Sequence, residues 1–318
     1  MNRDACILSW DVRMARTALV TGAYGFIGRH VARQLAGDGW RVIGLGHGSW
    51  VKEEWEAWGV AEWHSADITL DTLITYAGEP DMVVHCAGSG SVGFSMTHPY
   101  QDFQRTVSTT LAVLEYARFN APKARIAYPS SAGVYGVVNK LPISETDPLS
   151  PASPYGVHKC MAEDLCKSYA KHFDISVAMV RLFSVYGVGL RKQLLWDASQ
   201  KIIDGENDFF GTGEEIRDWL HVEDAARLLI SAAAHASAQC PIVNGGSGIG
   251  VTVREVLTDL YTCFGRTDAP TFSGVARGGD PIGYQADVSQ AKYWGWQPVM
   301  DRKECIREYV SWFRSGAL

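Results

Sequence analysis

Tyr155 and Lys159 stand four residues apart in Tyr155-Gly156-Val157-His158-Lys159, directly after Ser153-Pro154. A serine followed by proline is a usual opening of a helix, which is expected over 154–172. Positions i and i+4 share one helix face. A lysine ammonium there can lower a phenol's pKa from its ordinary value of about 10. A phenol so tuned can take a proton from a hydroxyl and return it. Upstream, Tyr128-Pro129-Ser130-Ser131-Ala132-Gly133-Val134-Tyr135-Gly136 offers a serine able to hydrogen-bond the reacting oxygen. The same serines would also serve a plain turn.

The second feature is Thr21-Gly22-Ala23-Tyr24-Gly25-Phe26-Ile27-Gly28. It follows the apolar run Ala18-Leu19-Val20, read as a buried strand, and leads into Arg29–Leu35, read as a helix. Strand, glycine turn and helix together form a dinucleotide-binding context. The glycines allow close approach of the main chain to a pyrophosphate seated on the helix's free N–H groups.

The elements that must position these residues alternate through the first half. Strands are expected at Arg41–Leu45, Asp81–Cys86, Ala124–Tyr128 and Ile175–Val180, with long helices over 99–119 and 154–172. Such alternation implies a parallel sheet covered on both faces, with ligands beyond its carboxyl ends. After residue 187 the segments shorten and glycines multiply, which predicts a smaller second lobe over 188–318 and a return to the first domain near 218–245. Residues 1–15 read as a flexible leader. Trp50, Trp55, Trp58 and Trp63 read as packing of a short amphipathic helix rather than a stacking shelf for adenine.

The 318 residues are 47% hydrophobic with a formal net charge of −6, which is ordinary globular composition. No basic cluster suggests nucleic acid, and no apolar run approaches the roughly 18 residues of a membrane span. Seven cysteines without CxxC spacing and nine histidines without ligand spacing predict reduced thiols, a cytoplasmic protein and no metal.

Taken in order, TGAYGFIG, His85-Cys86-Ala87-Gly88, PSSAGVYG, YGVHK, Arg181-Leu182-Phe183-Ser184-Val185-Tyr186-Gly187, Arg217-Asp218-Trp219-Leu220-His221-Val222-Glu223-Asp224 and Gly279-Asp280 with Ala286-Asp287 resemble the extended short-chain dehydrogenase/reductases, specifically the nucleotide-sugar epimerase/dehydratase group. The resemblance spans about residues 17–315. It implies an α/β fold: a Rossmann-type doubly wound parallel sheet over 1–187 with a smaller mixed α/β C-terminal substrate lobe. It implies Tyr155 as acid/base, Lys159 as its partner and Ser131 as the residue binding the sugar oxygen. Gly22, Ala23, Tyr24, Gly25, Phe26, Ile27 and Gly28 would surround the pyrophosphate. Asp67 and Ile68 would meet the adenine, with Cys86, Ala87 and Gly88 lining the cofactor. Ser89, Ser91 and Ser184 would line the substrate pocket. Arg217 and Arg277 would clamp its diphosphate, unless they merely pair with Asp218 and Asp280.

Departures from the family pattern carry information. No acid stands about 20 residues after the glycine motif, where Leu45-Gly46-His47-Gly48-Ser49 is found. His47 and Ser49 could instead contact a 2′-phosphate, so the cofactor expected is NAD(P), leaning to NADP. Ala132 and Gly133 replace the two acids of 4,6-dehydratases, which disfavours dehydration. Ser184 and Thr106 replace family asparagines. The expected activity is hydride transfer at C4 of a nucleoside-diphosphate sugar, as 4-ketoreductase or 4-epimerase. The alternative is a non-catalytic dinucleotide-sensing binding protein. The resemblance also implies a homodimer through the helices near 99–119 and 154–172, with Val107, Leu111, Leu114, Met161, Leu165 and Tyr169 as candidate contacts.

Overall fold

A computed structural model describes residues 16–275 and 283–316. Seven strands form one parallel sheet: β1 (Thr17–Thr21), β2 (Arg41–Gly46), β3 (Val60–Ser65), β4 (Met82–His85), β5 (Arg125–Ser131), β6 (Val177–Leu182) and, late in the chain, β10 (Ile242–Gly245). Their order is β3-β2-β1-β4-β5-β6-β10. The order reverses between β1 and β4, where Thr21 pairs with His85. A crevice opens at such a reversal, beyond the strands' carboxyl ends. The central strands are continuous apolar runs because helices cover both faces.

One face carries α1 (Phe26–Gly37); the segment after β2 forms α2 (Lys52–Ala57). The other face carries α3 (Leu70–Tyr76), then α4 (Val92–Thr97), α5 (Pro99–Phe103), α6 (Thr109–Asn120) and α7 (Pro154–Phe173). The helix expected over 99–119 is therefore interrupted. A π-helical turn, Gln104–Ser108, separates α5 from α6. Threonine hydroxyls compete with the helical ladder there: Thr109 Oγ1 donates to Arg105 O at 2.7 Å and Thr110 Oγ1 to Thr106 O at 2.6 Å.

Beyond Leu182 come β7 (Ser184–Tyr186), α8 (Gln193–Ile203), β8 (Asp208–Phe209) and β9 (Ile216–His221). Next, α9 (Val222–Ala234) packs on α1 and β5, and β10 joins the large sheet beside β6. Last come β11 (Gly250–Thr252), α10 (Val253–Cys263), β12 (Thr271–Phe272), α11 (Ser289–Tyr293) and α12 (Arg302–Arg314). A separate apolar core, including Leu195, Leu257, Leu260, Ile306 and Tyr309, joins α8, α10 and α12.

The tryptophans divide. Trp55 lies in α2 and Trp58 closes it, both against the α1 core. Trp50 is buried before the helix, edge-on to Tyr24 and to Trp63 of β3. The four do not belong to one amphipathic helix; three elements contribute them. Among the described residues no helix is long and apolar enough to cross a membrane, and no group of His, Cys, Asp or Glu is placed to hold a metal. The leader, Cys6, Arg277, Gly279 and Asp280 lie outside the described residues.

Candidate active site

Two glycines make the first turn possible. Gly22 has φ +68°, and a Cβ on it would lie 2.7 Å from Ala87 N. A Cβ on Gly28 would lie 2.2 Å from Gly22 O. Only glycine lets β1, the start of α1 and the end of β4 come this close. Gly25 begins α1 without a side-chain cap, and the first turn holds no acid. Its N–H groups and positive dipole end are thus left for an anion. Gly88 leaves room as well: a Cβ there would meet nothing nearer than Arg105 O at 3.7 Å and Lys159 Nζ at 4.0 Å. These residues fit a dinucleotide.

Tyr24 is partly exposed and packs over Gly48. His47 Nε2 lies 2.9 Å from Asp67 Oδ1, with both side chains largely exposed. Ser65 Oγ donates to Gly48 O at 3.1 Å. Ser49 is exposed. Ala23 and Ile68 are placed differently from what a cofactor-facing side chain requires. Both are buried in the two sheet cores, so only their main chain is available.

Ser131 ends β5, and its Oγ accepts from Gly133 N at 3.1 Å, fixing the turn that follows. Its Oγ and the Tyr155 ring flank Gly133, where a Cβ would lie 3.4 Å from each; Tyr155 lies in the first turn of α7. Ser153 starts that helix by accepting from Gly156 N at 3.2 Å. Lys159 is buried, and its Nζ donates to Pro129 O at 2.9 Å, 4.8 Å from the Tyr128 ring centroid and 6.0 Å from that of Tyr155.

One expectation is overturned here. Burial raises the Tyr155 phenol above its ordinary value; the nearby Ser131 hydroxyl opposes this and Asp102 adds to it. Lys159, with Nζ 6.0 Å from the Tyr155 ring centroid, does not offset burial. Burial draws Lys159 itself down to about 8, against the opposing pull of Asp102. His85, beneath it, forms a 2.7 Å hydrogen bond with Thr21 Oγ1; burial and Lys159 bring it down to about 3. Burial pushes the Cys86 thiol up to about 12, so it is neutral.

The substrate candidates scatter. Ser89 is buried, its N–H donating to Thr106 Oγ1 at 3.4 Å. Ser91 caps α4 by accepting from Phe94 N at 3.1 Å. Ser184 is half-buried at the start of β7. Arg217 donates to Ile216 O at 2.8 Å and lies 5.9 Å from the Tyr284 ring centroid. Asp218 is not its simple ion partner. That carboxylate is buried and accepts from Ser247 N and Oγ, Gly248 N and Ala286 N at 2.6–3.0 Å.

Sequence reasoning missed two buried pairs. Glu163 pairs in bidentate fashion with Arg181, at 2.9 Å from Nε and 2.8 Å from Nη2, and accepts from Ser130 Oγ at 2.7 Å. Asp102 of α5 pairs with His158 of α7. No local pattern announces either contact, since the partners lie 18 and 56 residues apart.

The doubly wound sheet, the uncapped glycine turn and the serine–tyrosine–lysine group beside it define a nicotinamide-dinucleotide enzyme fold. The sequence model of the NAD dependent epimerase/dehydratase family matches residues 18–246, and the chain belongs to that family. A putative UDP-glucose 4-epimerase of Methanocaldococcus jannaschii is 31% identical, over 94% of this chain and 98% of that protein. The UDP-glucose 4-epimerase of Thermotoga maritima, solved with UDP-glucose, superposes with a TM-score of 0.84 at 26% identity, covering 95% of this chain and all of the other. MoeE5, solved with UDP-glucuronic acid and NAD, gives 0.83 at 28% identity, with 95% and 100% covered.

Proposed function

We propose that the protein interconverts the C4 epimers of a UDP-sugar. The observation that carries the reading is the grouping of Ser131, Tyr155 and Lys159 beside Gly88 and the open N-terminus of α1. A nicotinamide bound there would supply reversible hydride exchange at C4. Acting as the phenolate, a form that the nearby Lys159 ammonium and a bound nicotinamide cation would favour against burial, Tyr155 would take the proton of the 4-hydroxyl and later return it. Ser131 donates to the same oxygen and orients it. Lys159 offers a positive charge beside the phenol and a donor for a ribose hydroxyl.

The activity named for the similar proteins favours epimerisation over net reduction. Ala132 and Gly133 supply no proton-transferring group to the turn after Ser131, which argues against loss of water. Arg217 and Arg277 are proposed to hold the diphosphate, a task suited to forked guanidinium groups. For the cofactor, the absence of an acid at residues 46–49 removes the usual repulsion of a 2′-phosphate. NADP is therefore expected to bind at least as well as NAD. That same absence favours the second reading, a 4-ketoreductase, because a reductase would use NADPH in net turnover.

The test is incubation with UDP-glucose and either cofactor, following product by chromatography and the reduced nicotinamide by absorbance. Formation of the 4-epimer without net cofactor change is expected. Stoichiometric loss of the reduced cofactor during turnover would mean the ketoreductase. Tyr155→Phe should lower kcat by about 10²–10⁴ while dinucleotide affinity, read by calorimetry, stays unchanged. Full activity of that variant would remove the tyrosine from the mechanism.

A further inference from the structure

Arg29, in the first turn of α1, is held among three aromatic rings. Its guanidinium carbon lies 5.3 Å from the ring centroid of Tyr24, 5.6 Å from that of Trp50 and 5.3 Å from that of Trp58. Trp50 is itself fixed, edge-on to Tyr24 and to Trp63 with centroids 5.4 Å apart in each pair. Such ring faces attract a cation but leave its N–H groups without acceptors. Nη2 donates to Tyr24 O at 2.5 Å. Nε is buried with no hydrogen-bond partner, and Nη1 makes none while reaching the surface. Burial lowers the pKa of the group; Arg191 adds to this, and Glu54 of α2 opposes it without forming an ion pair. An arginine nonetheless stays charged. Among the described residues, this permanent cation has no paired anion.

Its place in the fold suggests the missing anion. A Cβ on Gly48 would run into the Tyr24 ring, so that ring lies directly over the chain just past β2. Trp50, a second wall around the guanidinium, follows Gly48 by two residues. In NAD sites an acid about here takes the ribose 2′-hydroxyl. Residues 46–49 supply none, and Asp67, whose carboxylate meets this loop, pairs with His47 at 2.9 Å. The charge at this corner is thereby reversed. Arg33, which lies over Trp58 at 5.2 Å and is exposed, adds positive charge to the same face. We propose that Arg29 is a specificity-determining residue that binds the 2′-phosphate of NADP, a role that rests on the reading of the crevice as a dinucleotide site. Tyr24, Trp50 and Trp58 hold the guanidinium in place for it. A phosphate monoester is close to a dianion at neutral pH, and its oxygens accept the charge-assisted hydrogen bonds that Arg29 leaves unused.

Calorimetry on the full chain compares adenosine 2′,5′-bisphosphate with 5′-AMP, which differ only in the 2′-phosphate. The wild type should bind the bisphosphate at least about tenfold more tightly. Arg29→Met, which keeps an apolar chain for the aromatic rings, should weaken the bisphosphate by about 10- to 100-fold and leave AMP within about twofold. The ratio of NADP to NAD affinity should fall in parallel. Phosphorus NMR reads the wild type alone: the bound 2′-phosphate should titrate below its ordinary value of about 6. Equal affinity of the wild type for the two probes, or an unshifted phosphorus midpoint, overturns the proposal. So does an Arg29→Met variant that loses AMP and bisphosphate alike, since Arg29 would then serve the fold. If Arg29→Met does not fold, the wild-type ratio and the phosphorus titration decide. Binding of AMP and NAD with no preference for the phosphorylated forms rejects the role of Arg29 and spares the dinucleotide reading; absence of binding by every probe removes both.

Discussion

Lys159 sits where chemistry and stability oppose each other. Its ammonium is buried with one carbonyl partner, so burial disfavours the charged form and brings the group to about 8. The unfolded chain holds its proton up to about 10.4. Between these two values the unfolded state binds more protons than the native one, so this group's contribution to stability rises with pH. Below pH 8 both states are protonated and the full burial penalty applies. Lys159→Met removes the penalty. The Tm difference between variant and wild type should therefore be most favourable to the variant below pH 8 and should decline as pH rises toward 10.4. Calorimetric melts at pH 7, 8, 9 and 10 check this; a difference independent of pH would mean that the lysine is not buried as a charge. Gly28 allows a sharper statement. With a Cβ 2.2 Å from Gly22 O, Gly28→Ala must displace main chain, not a flexible side chain. Dinucleotide binding by calorimetry should be lost in that variant, while Gly37→Ala, in open space on the same helix, should retain it.

At the scale of elements, the link that joins the sheet to α7 is the buried pair of Glu163 and Arg181. Arg181 also donates to Tyr135 OH at 3.1 Å, and that hydroxyl donates to Asn244 of β10 at 2.6 Å. Removing one partner of a buried ion pair leaves the other charge uncompensated. Glu163→Gln should cost about 3–5 kcal/mol in urea unfolding; a loss under about 1 kcal/mol would show that solvent reaches Arg181. The same region shows what the sequence could disclose. Strands β1, β2, β4, β5 and β6 were readable from apolar runs, and the helix of Tyr155 from Ser153-Pro154, because those signals are local. Arg181 was visible only as part of a motif; its role depends on an acid brought beside it by folding. The break at Gln104–Ser108 was hidden since the threonine hydroxyls that compete with the helical ladder leave the apolar spacing intact. The direction of the Tyr155 shift was also out of reach. An i,i+4 spacing gives proximity, but burial and the carbonyl that attracts Lys159 belong to the tertiary structure.

At the scale of the whole molecule, part of the exposed apolar surface lies on α5, α6 and α7. Tyr100 is 68% exposed, Met161 44% and Leu111 40%, whereas Val107, Leu114 and Tyr169, also expected at an interface, are buried within the chain. A homodimer through this face would cover the exposed set. Sedimentation of the wild type should give twice the 34.9 kDa chain mass, and Leu111→Glu with Met161→Glu should give the single mass; a wild type that stays single at micromolar concentration would remove the dimer. Acid stability depends on the interior instead. Burial brings His30, in α1, down to about 4 and His85, in β4, to about 3. In the unfolded chain both take up protons at about 6.5. As pH falls from 6.5 toward 4 the unfolded state binds protons that the native state refuses, so stability declines. Carboxylates held low by hydrogen bonds, Glu215 and Asp287 among them, act in the same direction near their own range, whereas burial of Glu145 and Asp218 raises those acids and opposes it. The histidines act over the higher range, from about pH 6.5 downward. His30→Gln can keep a donor for Val188 O, now 3.1 Å from the imidazole, without a group that titrates. Between pH 6.5 and 5 its Tm should fall less steeply than that of the wild type; an equal slope would place the acid sensitivity elsewhere in the fold.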